Sequence, residues 1–130
     1  MVKSLRILVV DDQLRTRQSL KALLTTKFPQ AEIFEAANGA EAVHRLEELR
    51  PEVVLMDVLM PEMDGLTSTR LIKAIAPHVT VIVLSMYADY KASALAAGAN
   101  AFISKGDPPD ELLKRLADMA GVDSSHPSGV

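Results

Sequence analysis

The sequence predicts an α/β domain, doubly wound, with a five-stranded parallel sheet and five helices. Three observations lead there. Short runs of β-branched and aliphatic residues alternate with longer segments of helical period. The run Val53-Val54-Leu55-Met56 is apolar without alternation, as in a parallel strand covered on both faces. Four of the five runs also end in a polar residue that the apolar pattern does not require.

Leu5 to Val10 reads as the first strand and stops at Asp11-Asp12. A helix follows from Leu14 to about Lys27, with Leu20, Leu23, Leu24 and Phe28 at helical spacing and Pro29 closing it. Glu32 to Glu35 is a short second strand. Asn38-Gly39 is a turn or helix cap, and Ala42, Val43, Leu46 and Leu49 stripe the second helix up to Pro51. The third strand ends at Asp57. Past Pro61 and Asp64-Gly65, the residues Leu66, Leu71, Ile72 and Ile75 mark a third helix. Val79 to Leu84 is a fourth strand ending at Ser85. An alanine-rich fourth helix runs from about Ala88 to Ala97, with Gly98 as its stop. Ala101 to Ser104 is the fifth strand, followed by Lys105. Asp107 is placed to cap the last helix, with Pro108 in its first turn and Leu112, Leu113, Leu116 and Met119 on its core face. Residues 1–121 are therefore expected to form one domain, and 122–130, without an apolar period, a linker or disordered tail.

Composition narrows the function. The chain has 130 residues, 14 basic against 17 acidic, and no cysteine. Disulfides, zinc–thiolate sites, iron–sulfur clusters and thiol nucleophiles are excluded. Basic residues are scattered singly, so this domain presents no footprint for direct nucleic-acid contact or an anionic membrane. No apolar stretch approaches the roughly 18 residues of a membrane span. The N-terminus lacks a signal-peptide pattern, and a cytoplasmic location is expected.

In open α/β sheets ligands bind beyond the carboxyl ends of the strands. There the pattern collects Asp11 and Asp12, Asp57, Ser85 and Lys105. Clustered acids are costly unless a cation or protons offset them. Oxygen donors without histidine or thiolate suit a hard ion, Mg²⁺ first and Mn²⁺ also. A lysine, a hydroxyl and a metal-bearing carboxylate form a set suited to phosphoryl transfer with a carboxylate nucleophile. Read singly, each is ordinary: an aspartate pair can be a helix cap, a serine a strand-end hydroxyl, a lysine a solvated charge. His44, His78 and His126 are scattered, and no role is expected of them.

The segments Val9-Val10-Asp11-Asp12, Asp57 to Gly65, Leu84-Ser85 and Gly98 to Lys105, in that order and spacing, resemble the response-regulator receiver domain of two-component signalling. The resemblance covers about Lys3 to Met119 and implies the strand order 2-1-3-4-5 of the flavodoxin-like receiver topology, which the chemotaxis receiver shares. It implies Asp57 as phosphoacceptor from a histidine kinase. It implies Asp11, Asp12, Asp57 and the backbone carbonyl of Leu59 as ligands of Mg²⁺. Lys105 would pair with the phosphoryl group, and Ser85 and Phe102 would act as the switch residues. Such a domain is not an enzyme on a separate substrate; it catalyses only its own phosphorylation and dephosphorylation. Homodimerisation on phosphorylation is the expected consequence.

The wording Gly-Ala-Asn-Ala-Phe-Ile-Ser-Lys-Gly is similar to the subgroup with a C-terminal helix-turn-helix DNA-binding domain. A transcriptional output carried by such a domain beyond this chain is therefore expected. A stand-alone receiver acting through protein contacts is the alternative. A small Mg²⁺-dependent phosphohydrolase with an aspartyl nucleophile is a further one, although Leu59 stands where such enzymes need a second acid. Three positions depart from the family's habit. Phe102 has no phenolic hydroxyl. Gly106 replaces a proline after Lys105, which removes the usual basis for a cis bond. Leu59 and Tyr87 are apolar or bulky and are expected to shield the acyl phosphate from water.

Overall fold

The computed structural model describes residues 5–119; the expected domain boundary at 121 and the 122–130 tail lie outside the described residues. The elements are β1 (Arg6–Val10), α1 (Leu14–Lys27), β2 (Glu32–Ala36), α2 (Gly39–His44), α3 (Leu46–Leu49), β3 (Val53–Asp57), α4 (Gly65–Ile75), β4 (Thr80–Ser85), α5 (Lys91–Ala96), β5 (Ala101–Ser104) and α6 (Asp110–Met119). All strand pairs are parallel, in the order β2-β1-β3-β4-β5. The expected α/β class and strand order are thus observed.

The sheet separates two apolar layers. On one face Leu8, Val10, Val54, Met56, Val81 and Val83 meet α2, α3, α4 and α5; on the other Ile7, Val9, Leu55, Ile82 and Ile103 meet α1 and α6. Alternate residues of each buried strand serve opposite layers, which is why β3 reads as an unbroken apolar run.

Among the described residues the five expected helices appear as six α-helical segments. The second is broken at Arg45, whose ψ of 6° opens the ladder while its guanidinium bonds Glu35 O at 3.1 Å. Both halves still seat their apolar residues, with Ala42, Leu46 and Leu49 buried. The break costs no packing. The fourth helix begins later than expected, because Ala88–Tyr90 is a 3-10 turn. It ends as expected at Gly98, where φ is 104°. Gly98 N–H donates to Leu95 O and Ala99 N–H to Ala94 O, the two bonds of a Schellman stop. The last helix also begins late. Its first bond runs from Leu113 N–H to Pro109 O, so Asp107 precedes the helix and does not cap it.

The third expected helix, α4, is turned relative to its apolar stripe. Ile72 is buried, but Leu71 is 38% and Ile75 61% exposed, while Gly65, Ser68 and Thr69 face inward. Close approach decides this. A Cβ on Gly39 would lie 1.8 Å from Ser68 Oγ, and one on Gly65 would lie 1.9 Å from Asp57 O. Only small side chains fit where α4 crosses α2 and the end of β3. Asp64 caps this helix, its carboxylate accepting from Thr67 N–H at 2.8 Å.

Candidate functional site at the carboxyl ends of the strands

β1, β3 and β5 deliver Asp11, Asp57 and Lys105 to one end of the sheet. Strand pairing sets the first two close together, because β1 and β3 are neighbours. Lys105 directly follows β5, two strands from β3 and three from β1, and its long side chain spans the gap. Its ammonium donates to Asp11 Oδ2 at 2.9 Å and lies 3.1 Å from Asp57 Oδ1. The backbone of Lys105 is fixed as well, its N–H donating to Ser85 O at 2.9 Å. The Lys105–Gly106 peptide is trans, as are all peptides among the described residues.

Asp11 is pinned at every polar group. Its N–H extends the β1–β2 ladder to Ala36 O at 3.2 Å, and its Oδ1 accepts from Gln13 N–H at 2.9 Å. Its carbonyl accepts from Arg17 Nη1 at 2.6 Å. Arg17 in turn pairs through Nε with Glu35 Oε1 at 3.0 Å. Asp12, next in the chain, is exposed. Carboxylate oxygens of Asp11, Asp12 and Asp57 lie within 4.8 Å of one another. Opposed oxygens around Mg²⁺ sit about 4.2 Å apart, and the ion takes oxygen ligands with near-octahedral geometry. The donor set and its span fit Mg²⁺.

Three carboxylates against one ammonium leave negative charge in excess. Burial pushes the Asp57 carboxyl above its ordinary 3.8. The Lys105 charge opposes that rise, and the Asp11 carboxylate adds to it. For Lys105, burial alone would lower its affinity for the proton. The hydrogen bond to Asp11 and the charges of Asp57 and Asp11 outweigh burial and hold the ammonium above its ordinary 10.5.

The other expected residues are placed as follows. Ser85 is buried at the end of β4, beside the strand that carries Asp57, and its hydroxyl accepts from Tyr87 N–H at 3.0 Å. Leu59 is 51% exposed in the loop after β3. The same loop bends sharply at Glu62, where φ is 69° and Met63 N–H donates to Pro61 O at 2.8 Å. Phe102 is partly buried in the layer that also holds Tyr90, away from the charged cluster. Met86 and Tyr87 are, like Leu59, large exposed apolar residues on the loops around the acids, and Leu14, also exposed, opens α1 just after them.

Two features escaped the sequence reading. Arg17 and Glu35 hold the backbone of Asp11, and the only signal for them was a pair of charges on the elements flanking β1. A cleft of about 340 Å³ lies between α1 and α6, lined by Leu20, Leu23, Ile103, Pro109 and Leu112 and reaching Asp11, Asp57 and Lys105.

Comparison with known proteins agrees with this geometry. The family model for the response regulator receiver domain matches residues 7–117. The transcriptional regulatory protein YhcZ of Bacillus subtilis is 40% identical over 114 residues, covering 85% of this chain and 52% of that protein. The chemotaxis protein CheY of Thermotoga maritima is 38% identical over 113 residues, covering 85% of this chain and 93% of CheY. Among solved structures, the response regulator TrrA of T. maritima, in complex with Mg²⁺ and BeF, superposes with a TM-score of 0.80 at 31% identity. The match covers 88% of this chain and 98% of TrrA. This chain thus spans about half the length of one relative and nearly all of others.

Proposed function

This chain belongs to the response regulator receiver domain family of two-component signalling, and from that premise we propose that Asp57 is its phosphoacceptor. The observation that carries this is the meeting of Asp11, Asp12, Asp57 and Lys105 at one end of the sheet. An oxygen of the Asp57 carboxylate attacks the phosphorus of a phosphohistidine on a histidine kinase. The new P–O bond forms as the P–N bond breaks, leaving the imidazole to the kinase and an acyl phosphate on Asp57. Lys105 neutralises phosphoryl oxygens, and the Ser85 hydroxyl, which accepts from Tyr87 N–H, turns to donate to one of them. Asp11, Asp12, Asp57 and the Leu59 carbonyl would hold Mg²⁺, with Mn²⁺ equally suited to the oxygen set. When bound, the ion offsets the carboxylate charge and stabilises the transferring phosphoryl group.

The chemistry is self-directed and serves signalling in the cytoplasm. Movement of Ser85 frees space that the partly buried Phe102 ring fills by packing alone, remodelling the α5–β5 surface. Homodimerisation follows, and in a longer protein a C-terminal DNA-binding domain reads the change. The half-length match to a transcriptional regulator favours that output, whereas the 93% coverage of CheY favours a stand-alone receiver.

Beryllofluoride, a stand-in for the phosphoryl group, tests the assignment. With Mg²⁺ it should bind wild-type protein and shift the amide spectrum around Ser85 and Phe102, and Asp57→Ala should abolish the shift. Unaltered binding to Asp57→Ala would overturn it. Leu59 and Tyr87, 51% and 56% exposed on adjoining loops, are free to cover the acyl phosphate. Tyr87→Ala is therefore expected to hasten hydrolysis of the phosphorylated form, and an unchanged rate would refute the shielding.

A further inference from the structure

Beyond the residues at the strand ends, one polar chain runs back into the fold, from Glu35 on β2 through Arg17 on α1 to the backbone carbonyl of Asp11. Asp11 follows the last residue of β1, so strand pairing no longer supplies its carbonyl with a partner. Arg17 supplies one at 2.6 Å. The same guanidinium holds Glu35 Oε1 at 3.0 Å, and Lys21, one turn on, lies 3.6 Å from Glu35 Oε2. The Arg17 side chain is only 14% exposed, so the bond is poorly screened by water.

The rest of α1 explains why such a tether matters. Leu24, near its far end, is its one fully buried residue, contributing about 1.5–3 kcal/mol. Toward the site, Thr16, Ser19, Leu20 and Leu23 line the 340 Å³ cleft, and of these Leu20, itself only partly buried, also packs against the core. The first two turns of α1, and the loop of Asp11 and Asp12 they terminate, are thus weakly held by apolar contact. We propose that Arg17, itself held by Glu35, is a positioning residue for the acidic pair. By fixing the carbonyl of Asp11 it fixes the direction of both carboxylates toward Asp57. Like outer-sphere partners at other metal sites, it sets cation affinity without touching the cation.

The inference rests on the assignment of these acids as metal ligands, and the test separates the two. Mn²⁺, visible by electron paramagnetic resonance, is titrated into wild-type, Arg17→Ala, Arg17→Lys, Glu35→Gln and Arg6→Ala proteins, with thermal unfolding of each recorded alongside. Arg17→Ala should weaken Mn²⁺ binding about tenfold. Glu35→Gln should weaken it less, and Arg17→Lys, which reaches one partner but not both, should fall between. Arg6 sits at the opposite end of the sheet, so Arg6→Ala should lower the unfolding temperature with Mn²⁺ affinity unchanged. Wild-type affinity in Arg17→Ala, or an equal loss in Arg6→Ala, would overturn the positioning role. If Arg17→Ala does not fold, wild-type affinity in both Arg17→Lys and Glu35→Gln overturns it just as well. A wild-type protein that binds no Mn²⁺ instead removes the metal assignment and, with it, the inference.

Discussion

The two ends of the sheet both hold half-buried cations, yet they use them differently. At the amino end, Arg6 donates through Nε to Leu49 O at 3.0 Å, pairs with Glu32 at 2.8 Å and stacks over Phe34. Lys73 donates to Pro77 O, Val79 O and Asn100 Oδ1. These cations meet mostly carbonyl oxygens, whose dipoles close a turn or a helix end and satisfy the donor protons, while solvent takes up the charge that remains. At the carboxyl end, Lys105 meets the carboxylates of Asp11 and Asp57, and a carboxylate oxygen of Asp12 lies within 4.8 Å of theirs. The first arrangement is a staple, complete in itself. The second is short of positive charge and calls for something from outside. Charge balance thus sets the proposed site apart from a structural cluster where residue types alone do not.

The sharpest way to break this contrast is to remove each lysine. Lys105→Met leaves Asp11 and Asp57 facing each other without a cation, so added Mg²⁺ should raise its unfolding temperature far more than that of wild type. It should also uncouple beryllofluoride binding from the response at Ser85. An equal Mg²⁺ shift in both proteins would contradict the charge deficit at the carboxyl end. A second, smaller effect is expected in the acid range. Because the folded protein holds the Asp57 proton more tightly than the unfolded chain, folding gains from protonation. In metal-free buffer this contribution is present at low pH and fades as pH rises from about 3.8 through the higher folded value. Asp57→Asn should abolish that decline, so the wild-type and variant stability curves, measured by urea unfolding at a series of pH values, should diverge as pH rises. The least effect belongs to the staple. Lys73→Met should cost about 1–2 kcal/mol, from hydrogen bonds to a charged donor, with no change in Mg²⁺ response. A changed Mg²⁺ response would show that the two ends are coupled.

The sequence was legible where a single side chain's character decides the outcome. Strand limits fall within a residue of expectation because the apolar runs of β1, β3 and β4 stop at polar residues. The strand-end residues Asp11, Asp57 and Lys105 meet because parallel strands carry all their carboxyl ends to one side. What was not legible depends on pairs of elements. The inward face of α4 is chosen by the approach of Gly39 and Gly65, so the large Leu71 and Ile75 turn outward against their apolar character. The break at Arg45 follows a side chain reaching a neighbouring strand. Arg17 and Glu35 meet across 18 residues of chain, and nothing in the spacing alone announces that contact.

Lys105 has one more consequence. Its side chain runs from the edge strand β5 past the end of β4 to acids on β3 and β1, a strap laid across the sheet. An edge strand normally peels one hydrogen bond at a time. Here β5 cannot leave without first parting two ion pairs near the middle of the sheet. Tension applied through α6 is therefore delivered to Asp11 and Asp57. A change at the acids that releases Lys105 would slacken the same line and let the last strand and helix yield at lower force.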